Sequence, residues 1–104
     1  MRRTKIIAEI GWNHMGNISL AKKMIFYAKK SGADICKFQT WSEKNLKPGP
    51  WDSDGRREIY KKAELTLKKH LILKKYCKKV GVGFLSSVFS LKDLDLLYKV
   101  RSVE

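Results

Sequence analysis

The 104-residue chain reads as an α/β protein on a parallel sheet, and within that class as the first three βα units of a (β/α)8 TIM barrel. Three observations predict this. Apolar strands and amphipathic helices alternate in the order β-α-β-α-β-α, which joins parallel strands by right-handed crossovers. Polar residues gather where strands end: Glu9, then Lys37 and Gln39, then Ser86 and Ser87. That rim is where barrels build their active sites. The first βα turn, Gly11 to Gly16, has neither the spacing of a dinucleotide fingerprint nor the trailing Lys-Ser/Thr of a P-loop. A doubly wound sheet also fits the alternation, but the last two features favour the barrel. Three units cannot close eight strands, so the chain reads as part of a larger protein.

The elements follow in order. Residues 5–11 predict a strand: Ile6, Ile7, Ala8 and Ile10 are apolar, and Gly11 stops the run. Residues 19–31 predict a helix, because Ala21, Met24, Ile25 and Ala28 fall on one face. Ser19 is its expected N-cap, and Gly32 follows its end in the left-handed conformation. Over 34–40, Cys36 and Phe38 alternate with Lys37 and Gln39, the period of a strand with two unlike faces. Residues 41–57, with Pro-Gly-Pro and Ser-Asp-Gly, are a loop of a length that is usually functional or disordered. A helical turn over 58–64 is followed by a helix over 67–80, capped by Thr66, with Leu73, Tyr76, Cys77 and Val80 inward and Gly81 ending it. A strand over 83–87 and a helix over 91–100 complete the third unit. Ser90 with Asp93 gives that last helix capping-box spacing. The two strands that follow helices share a lead-in, Ala28-Lys-Lys-Ser-Gly and Cys77-Lys-Lys-Val-Gly.

Composition limits the function classes. The apolar share of 43% and aromatic share of 11% are those of a globular domain. No apolar run is long enough to span a membrane, and Glu9 interrupts the only one behind the basic N-terminus. A cytoplasmic location follows as the expectation. Two cysteines, Cys36 and Cys77, make no disulfide framework and read as reduced core thiols. The net charge of +13 comes largely from six Lys-Lys pairs spaced along helix faces, the pattern of a solvated surface. The competing reading is a basic nucleic-acid-binding module. Most aromatic residues fall at core-like positions rather than beside these lysines, which speaks against base stacking and for no nucleic-acid partner.

The segment Ala8-Glu9-Ile10-Gly11-Trp12-Asn13-His14-Met15-Gly16 carries the chemistry. A carboxylate inside a strand headed for a core needs a partner. Lys37 and Gln39 share a face of the neighbouring strand, and if that face is the barrel mouth, Glu9 joins them. An ammonium and a carboxamide there suit an anionic, hydroxyl-rich ligand. The plainer alternative is a structural Glu–Lys pair within a barrel layer.

Beyond the local chemistry, Ile7-Ala8-Glu9-Ile10-Gly11-x-Asn13-His14-x-Gly16, Leu20-Ala21-Lys22-Lys23 and Gly32-Ala33-Asp34-x-x-Lys37-Phe38-Gln39-Thr40 resemble the N-terminal part of the sialic acid synthase family. That family includes N-acetylneuraminate, legionaminate and pseudaminate synthases and spore-coat polysaccharide synthases. The likeness continues through Leu65-Thr66-Leu67, Tyr76-Cys77-Lys78 and Phe84-Leu85-Ser86-Ser87-x-Phe89. It implies a (β/α)8 barrel condensing phosphoenolpyruvate with an N-acyl amino sugar to a nonulosonic acid, with release of phosphate and the help of a divalent metal, Mn or Mg. It also implies a homodimer at full length.

The same resemblance assigns roles. Glu9 faces the cationic C2 centre and Lys37 holds phosphoenolpyruvate, as the two catalytic residues. Gln39, Ser87 and Tyr60 bind substrate, and the loop over 41–57 covers them. Ser87 stands where the family has Thr in Ser-Thr-Pro-Phe, with Val88 replacing the Pro. Trp12 replaces a small aliphatic residue and Met15 a polar one. Gly11, Asn13, His14 and Gly16 are read as structural residues of the turn. No metal ligand is expected within this chain, the metal histidines lying on later strands, and His70 on its lysine-rich helix is expected in solvent. Another barrel enzyme using phosphoenolpyruvate or a sugar phosphate remains the second catalytic reading. The isolated chain is expected to be inactive.

Overall fold

The computed structural model describes residues 3–102. Three parallel strands, β1 (Ile7–Gly11), β2 (Ile35–Thr40) and β3 (Gly83–Val88), pair in sequential order. Helix α1 (Ile18–Lys30) connects the first two strands; α2 (Arg56–Ala63) and α3 (Leu67–Val80) lie between the second and third; α4 (Leu91–Ser102) follows β3. The segment read as a loop over 41–57 contains two short 3-10 turns, Glu43–Asn45 and Pro50–Asp52, and α2 begins within its last residues.

The period of two decides which face is covered. Cys36, Phe38 and Thr40 of β2 are fully buried, while Ile35, Lys37 and Gln39 between them are only half-buried. Ile10, Ala21, Ile25, Cys36, Phe38, Leu65, Leu73, Cys77 and Val82 form one core between the sheet and the helices. Burying a side chain such as Phe38 contributes about 1.5–3 kcal/mol. The opposite face bears Ile7, Glu9, Lys37, Gln39, Leu85 and Ser87, and Ile7 and Leu85 remain 49% and 42% exposed. A doubly wound sheet carries helices on both faces; the described elements place them on one.

The caps explain the boundaries. Helix α1 starts one residue before the expected range because Asn17, not Ser19, is its N-cap: the Asn17 side chain accepts from the Leu20 N–H at 3.0 Å. Thr66 caps α3 by accepting from the Lys69 N–H. Gly81, at φ 90°, ends α3 in the left-handed region that glycine enters without strain. Ahead of β1, the Arg3 guanidinium pairs with Asp34, whose carboxylate also accepts from the Ile6 N–H at 2.8 Å. The strand start is thereby tied to the entry of β2, and the hydrogen bond from Arg3 holds the Asp34 carboxyl below its usual range.

Candidate active site

The uncovered face of the sheet brings the polar strand-end residues together. Glu9 is the register partner of Lys37, and Gln39 that of Ser87. The Lys37 Nζ lies 3.7 Å from Glu9 Oε1, and Gln39 Nε2 donates to the same oxygen at 3.3 Å. These three side chains and Ser87 therefore form one polar strip across β1, β2 and β3. The expectation of a buried carboxylate at Glu9 is corrected: its side chain is 49% exposed, because no layer covers this face among the described residues. An ion pair this long and this exposed stabilises by at most about 1 kcal/mol. The ammonium and the carboxylate are accordingly open to a ligand.

The turn after β1 is built to hold the strip's first residue. A bulge between Glu9 and Gly11 ends the ladder, and Gly11 turns the chain at φ 59°. Asn13 N–H donates to the Ile10 carbonyl, its side chain being exposed. His14 is fully buried against Phe38, and its Nδ1 accepts from the Gly16 N–H at 2.8 Å. That bond puts the ring proton on Nε2, which has no hydrogen-bond partner among the described residues. Burial pushes the His14 pKa down, so the ring is neutral. Gly16, at φ 79°, passes so close to α2 that a Cβ there would lie 2.0 Å from the Lys62 carbonyl oxygen. Lys69 Nζ donates to the Gly16 carbonyl from the other side.

Next to the strip, the segment after β2 forms a cup. Trp12, Trp41 and Tyr60 meet pairwise edge-to-face, with centroids 6.1 to 6.3 Å apart. With Gln39, Leu46, Trp51 and Phe89 they line a cavity of about 250 Å³. Trp41 Nε1–H donates to the Tyr60 carbonyl, and Trp51 Nε1–H to the Lys47 carbonyl. Arg57 bridges Glu43 and Asp52 at 2.8 and 2.6 Å, fastening the segment to α2. Tyr60 lines this cavity together with Gln39. The tryptophans around it are not legible as one group, because Trp12 comes from the β1–α1 turn and Trp41 and Trp51 from the segment between β2 and α2.

Asp93 clamps the same segment from α4. It is buried and accepts from Ser42 Oγ (2.7 Å), Ser90 Oγ (2.8 Å) and Asn45 Nδ2 (3.1 Å). Burial alone would push its carboxyl up, but these hydrogen bonds outweigh it and hold the carboxyl below its usual range.

The expectation that His70 faces solvent is overturned. His70 is fully buried, and its Nδ1–H donates to the Thr66 carbonyl at 2.7 Å. Its Nε2 accepts from Thr40 Oγ1, 2.7 Å away, and Thr40 Oγ1 accepts in turn from Ser86 Oγ at 2.6 Å. This chain stitches α3 to β2 and β3 on the core side. Burial pushes the His70 pKa down.

Phe26 and Tyr27 are exposed beside Lys29 and Lys30, and Lys30 Nζ lies 6.0 Å over the Phe26 ring. Aromatic residues are thus less confined to the core than their spacing suggests. Among the described residues no three His, Cys, Asp or Glu side chains come together in a group able to hold a metal ion. No helix among them is long and apolar enough to cross a membrane.

Comparison with known proteins gives a consistent picture. The NeuB family profile matches residues 24–104. The chain is 41% identical, over 93% of its length, to the N,N'-diacetyllegionaminic acid synthase of Campylobacter jejuni, of which it covers 32%. It is 36% identical to the pseudaminic acid synthase of Helicobacter pylori, over 96% of this chain and 35% of that protein. The chain spans about a third of the length of these curated relatives. Its structure superposes on N-acetylneuraminic acid synthetase from Leptospira borgpetersenii, solved with citrate, at a TM-score of 0.81 and 29% identity, covering 95% of this chain and 34% of the other.

Proposed function

The chain belongs to the NeuB family, and on that premise we propose that it forms the first three βα units of a (β/α)8 barrel synthase condensing phosphoenolpyruvate with an N-acyl amino sugar. The products are a nonulosonic acid and phosphate. Relatives named as legionaminic, pseudaminic and N-acetylneuraminate-9-phosphate synthases support this substrate class. The observation that carries it is the polar strip: Lys37 and Gln39 converge on Glu9 at the C-terminal end of parallel strands, the rim where barrel chemistry is done.

The residues suit the reaction. The Lys37 ammonium gives phosphoenolpyruvate a charge-assisted partner for its phosphate or carboxylate. As C3 of the enolpyruvate bonds to the sugar aldehyde carbon, positive charge develops at C2, and the Glu9 carboxylate opposes it. Water then adds at C2 and the tetrahedral intermediate expels phosphate. Gln39 hydrogen-bonds the sugar, Ser87 beside it supplies a hydroxyl to phosphoenolpyruvate, and Tyr60 borders the sugar. A divalent ion would polarise the aldehyde as a Lewis acid. The described residues offer no donor set that fits it, so its ligands, on this reading, belong to other barrel strands, and no role here is routed through it. The uncovered face with Ile7 and Leu85 is the barrel interior, and the protein works in the cytoplasm as a homodimer.

Calorimetric titration with phosphoenolpyruvate tests the assignment. Binding by the chain that disappears in Lys37→Ala supports it; binding unaffected by Lys37→Ala removes Lys37 from the site. The chain by itself should show no synthase turnover, and measurable turnover would refute its being an incomplete barrel.

A further inference from the structure

The basic excess of the chain is unevenly placed. Helix α1 carries Lys22, Lys23, Lys29 and Lys30. Helix α3 carries Lys68, Lys69, Lys74, Lys75, Lys78 and Lys79. None of the ten acidic residues of the chain lies on either helix. Helices α2 and α4 mix the signs instead: Glu58 stands three residues before Lys61, and Asp95 four before Lys99. That spacing sets opposite charges next to one another and balances an ordinary solvated face. On α3 the same spacing sets Lys75 beside Lys78 and Lys79, like charge against like. The two helices also make one continuous face. They pack side by side on the sheet, Lys22 Nζ lies 5.5 Å over the Tyr76 ring, and the Lys29 side chain passes beside Gly81 at the end of α3. Lys69 and Lys74 turn aside to donate to the Gly16 and Val100 carbonyls. Apart from these two and Lys22, the lysines of the face are exposed. Apolar side chains stand among them: Phe26 and Tyr27 on α1 are 44% and 60% exposed, and Leu71 and Ile72 on α3 are half-buried in a shallow groove between Lys68 and Lys75.

We infer that this face docks on an anionic lipid bilayer and holds the protein at the membrane surface without crossing it. Charge complementarity calls for a polyanion, and three observations choose lipid among the polyanions. The cations of both helices are all lysines, which are hydrated point charges; arginine, whose planar fork grips single phosphates and reads nucleic acid, occurs on neither. The exposed rings are poor platforms for bases, because Phe26 and Tyr27 meet edge-to-face at 5.4 Å and Lys30 lies 6.0 Å over the Phe26 ring. The charges run along two whole helices rather than gathering round one pocket, which matches the laterally continuous negative potential of an anionic leaflet. On such a surface the lysine stems lie flat with their ammonium groups at the headgroups, and Tyr27, Leu71 and Ile72 enter the interface, where aromatic and apolar side chains are favoured.

Sedimentation of the full chain with vesicles tests this. Equimolar phosphatidylcholine–phosphatidylglycerol vesicles should take up the chain at least about 100-fold more strongly than vesicles of phosphatidylcholine alone, and added salt should shrink the difference. Combining Lys68→Gln, Lys75→Gln, Lys78→Gln and Lys79→Gln should weaken binding to the anionic vesicles at least about 100-fold. The same charge removed elsewhere, by combining Lys61→Gln, Lys62→Gln, Lys92→Gln and Lys99→Gln, should weaken it less than about tenfold. All eight side chains are exposed, so both variants keep the core intact. Absence of binding to the anionic vesicles overturns the inference. So does equal binding to neutral vesicles, which would trace it to the uncovered sheet face at Ile7 and Leu85. Equal losses in the two variants would trace binding to net charge and overturn the inference as well. A single-stranded oligonucleotide that binds the chain while the anionic vesicles do not would assign the face to nucleic acid instead.

Discussion

Thr40 and His70 meet at 2.7 Å in the closed interior, where a strand hydroxyl donates to the ring nitrogen of a helix histidine. The same hydroxyl accepts from Ser86 on the next strand. Because all three elements converge there, Thr40→Val should leave the buried His70 Nε2 and the half-buried Ser86 Oγ without this partner and destabilise the fold by about 1–3 kcal/mol. Urea unfolding of the two proteins checks this. A midpoint unchanged by the substitution would mean that the hydroxyl chain contributes nothing.

Acid should act through His14 and His70. Burial lowers both folded-state pKa values below the ordinary histidine value of about 6.5, which the unfolded chain retains. Their stabilising effect is therefore complete above that pH. It is lost as pH falls through it, when the unfolded state binds protons that the native state does not. The expected slope is up to about 1.4 kcal/mol per pH unit for each histidine. Thermal melts between pH 8 and 5 should show a falling midpoint that His70→Leu flattens; a flat wild-type profile would contradict the burial of both rings.

Gly16 should tolerate no side chain. Its φ of 79° and the Lys62 carbonyl 2.0 Å from an added Cβ require backbone movement in Gly16→Ala. A loss of more than about 1 kcal/mol is expected. Gly32 has the same sign of φ with nothing near an added Cβ. Gly32→Ala should cost less, and equal losses in the two variants would show that close approach is unimportant at Gly16.

The two thiols should be inert. Cys36 and Cys77 are buried side by side in the core, and burial pushes the Cys77 thiol up to about 12. Thiolate, the reactive form, is therefore negligible at neutral pH. A thiol reagent should label both cysteines only in denaturant, and fast labelling of the native chain would contradict this packing.

Much of the fold is legible in the single sequence. Strand and helix positions followed from apolar spacing, and the pairing of Glu9 with Lys37 followed from parallel order and the period of two. The lysines beside His70 mask its place on the inner face of α3. It stands three and seven residues before Leu73 and Cys77, on their face of α3, and the spacing alone puts it inside. Asn17 displaced Ser19 as the N-cap through a side-chain bond that either residue type makes equally well. The aromatic cup was out of reach for another reason. Trp12, Trp41, Trp51 and Tyr60 meet only after the β1–α1 turn and the segment before α2 fold over the same strand ends, a juxtaposition no local pattern encodes.

The central claim is that Lys37, held against Glu9 and Gln39, binds phosphoenolpyruvate for condensation with an N-acyl amino sugar. It is tested most directly in a complete synthase that carries these 104 residues, by following sugar-dependent release of phosphate from phosphoenolpyruvate in the wild type and in Lys37→Ala. Loss of phosphate release in the variant, with an unchanged melting temperature, is the predicted result. Wild-type release by Lys37→Ala would contradict the account.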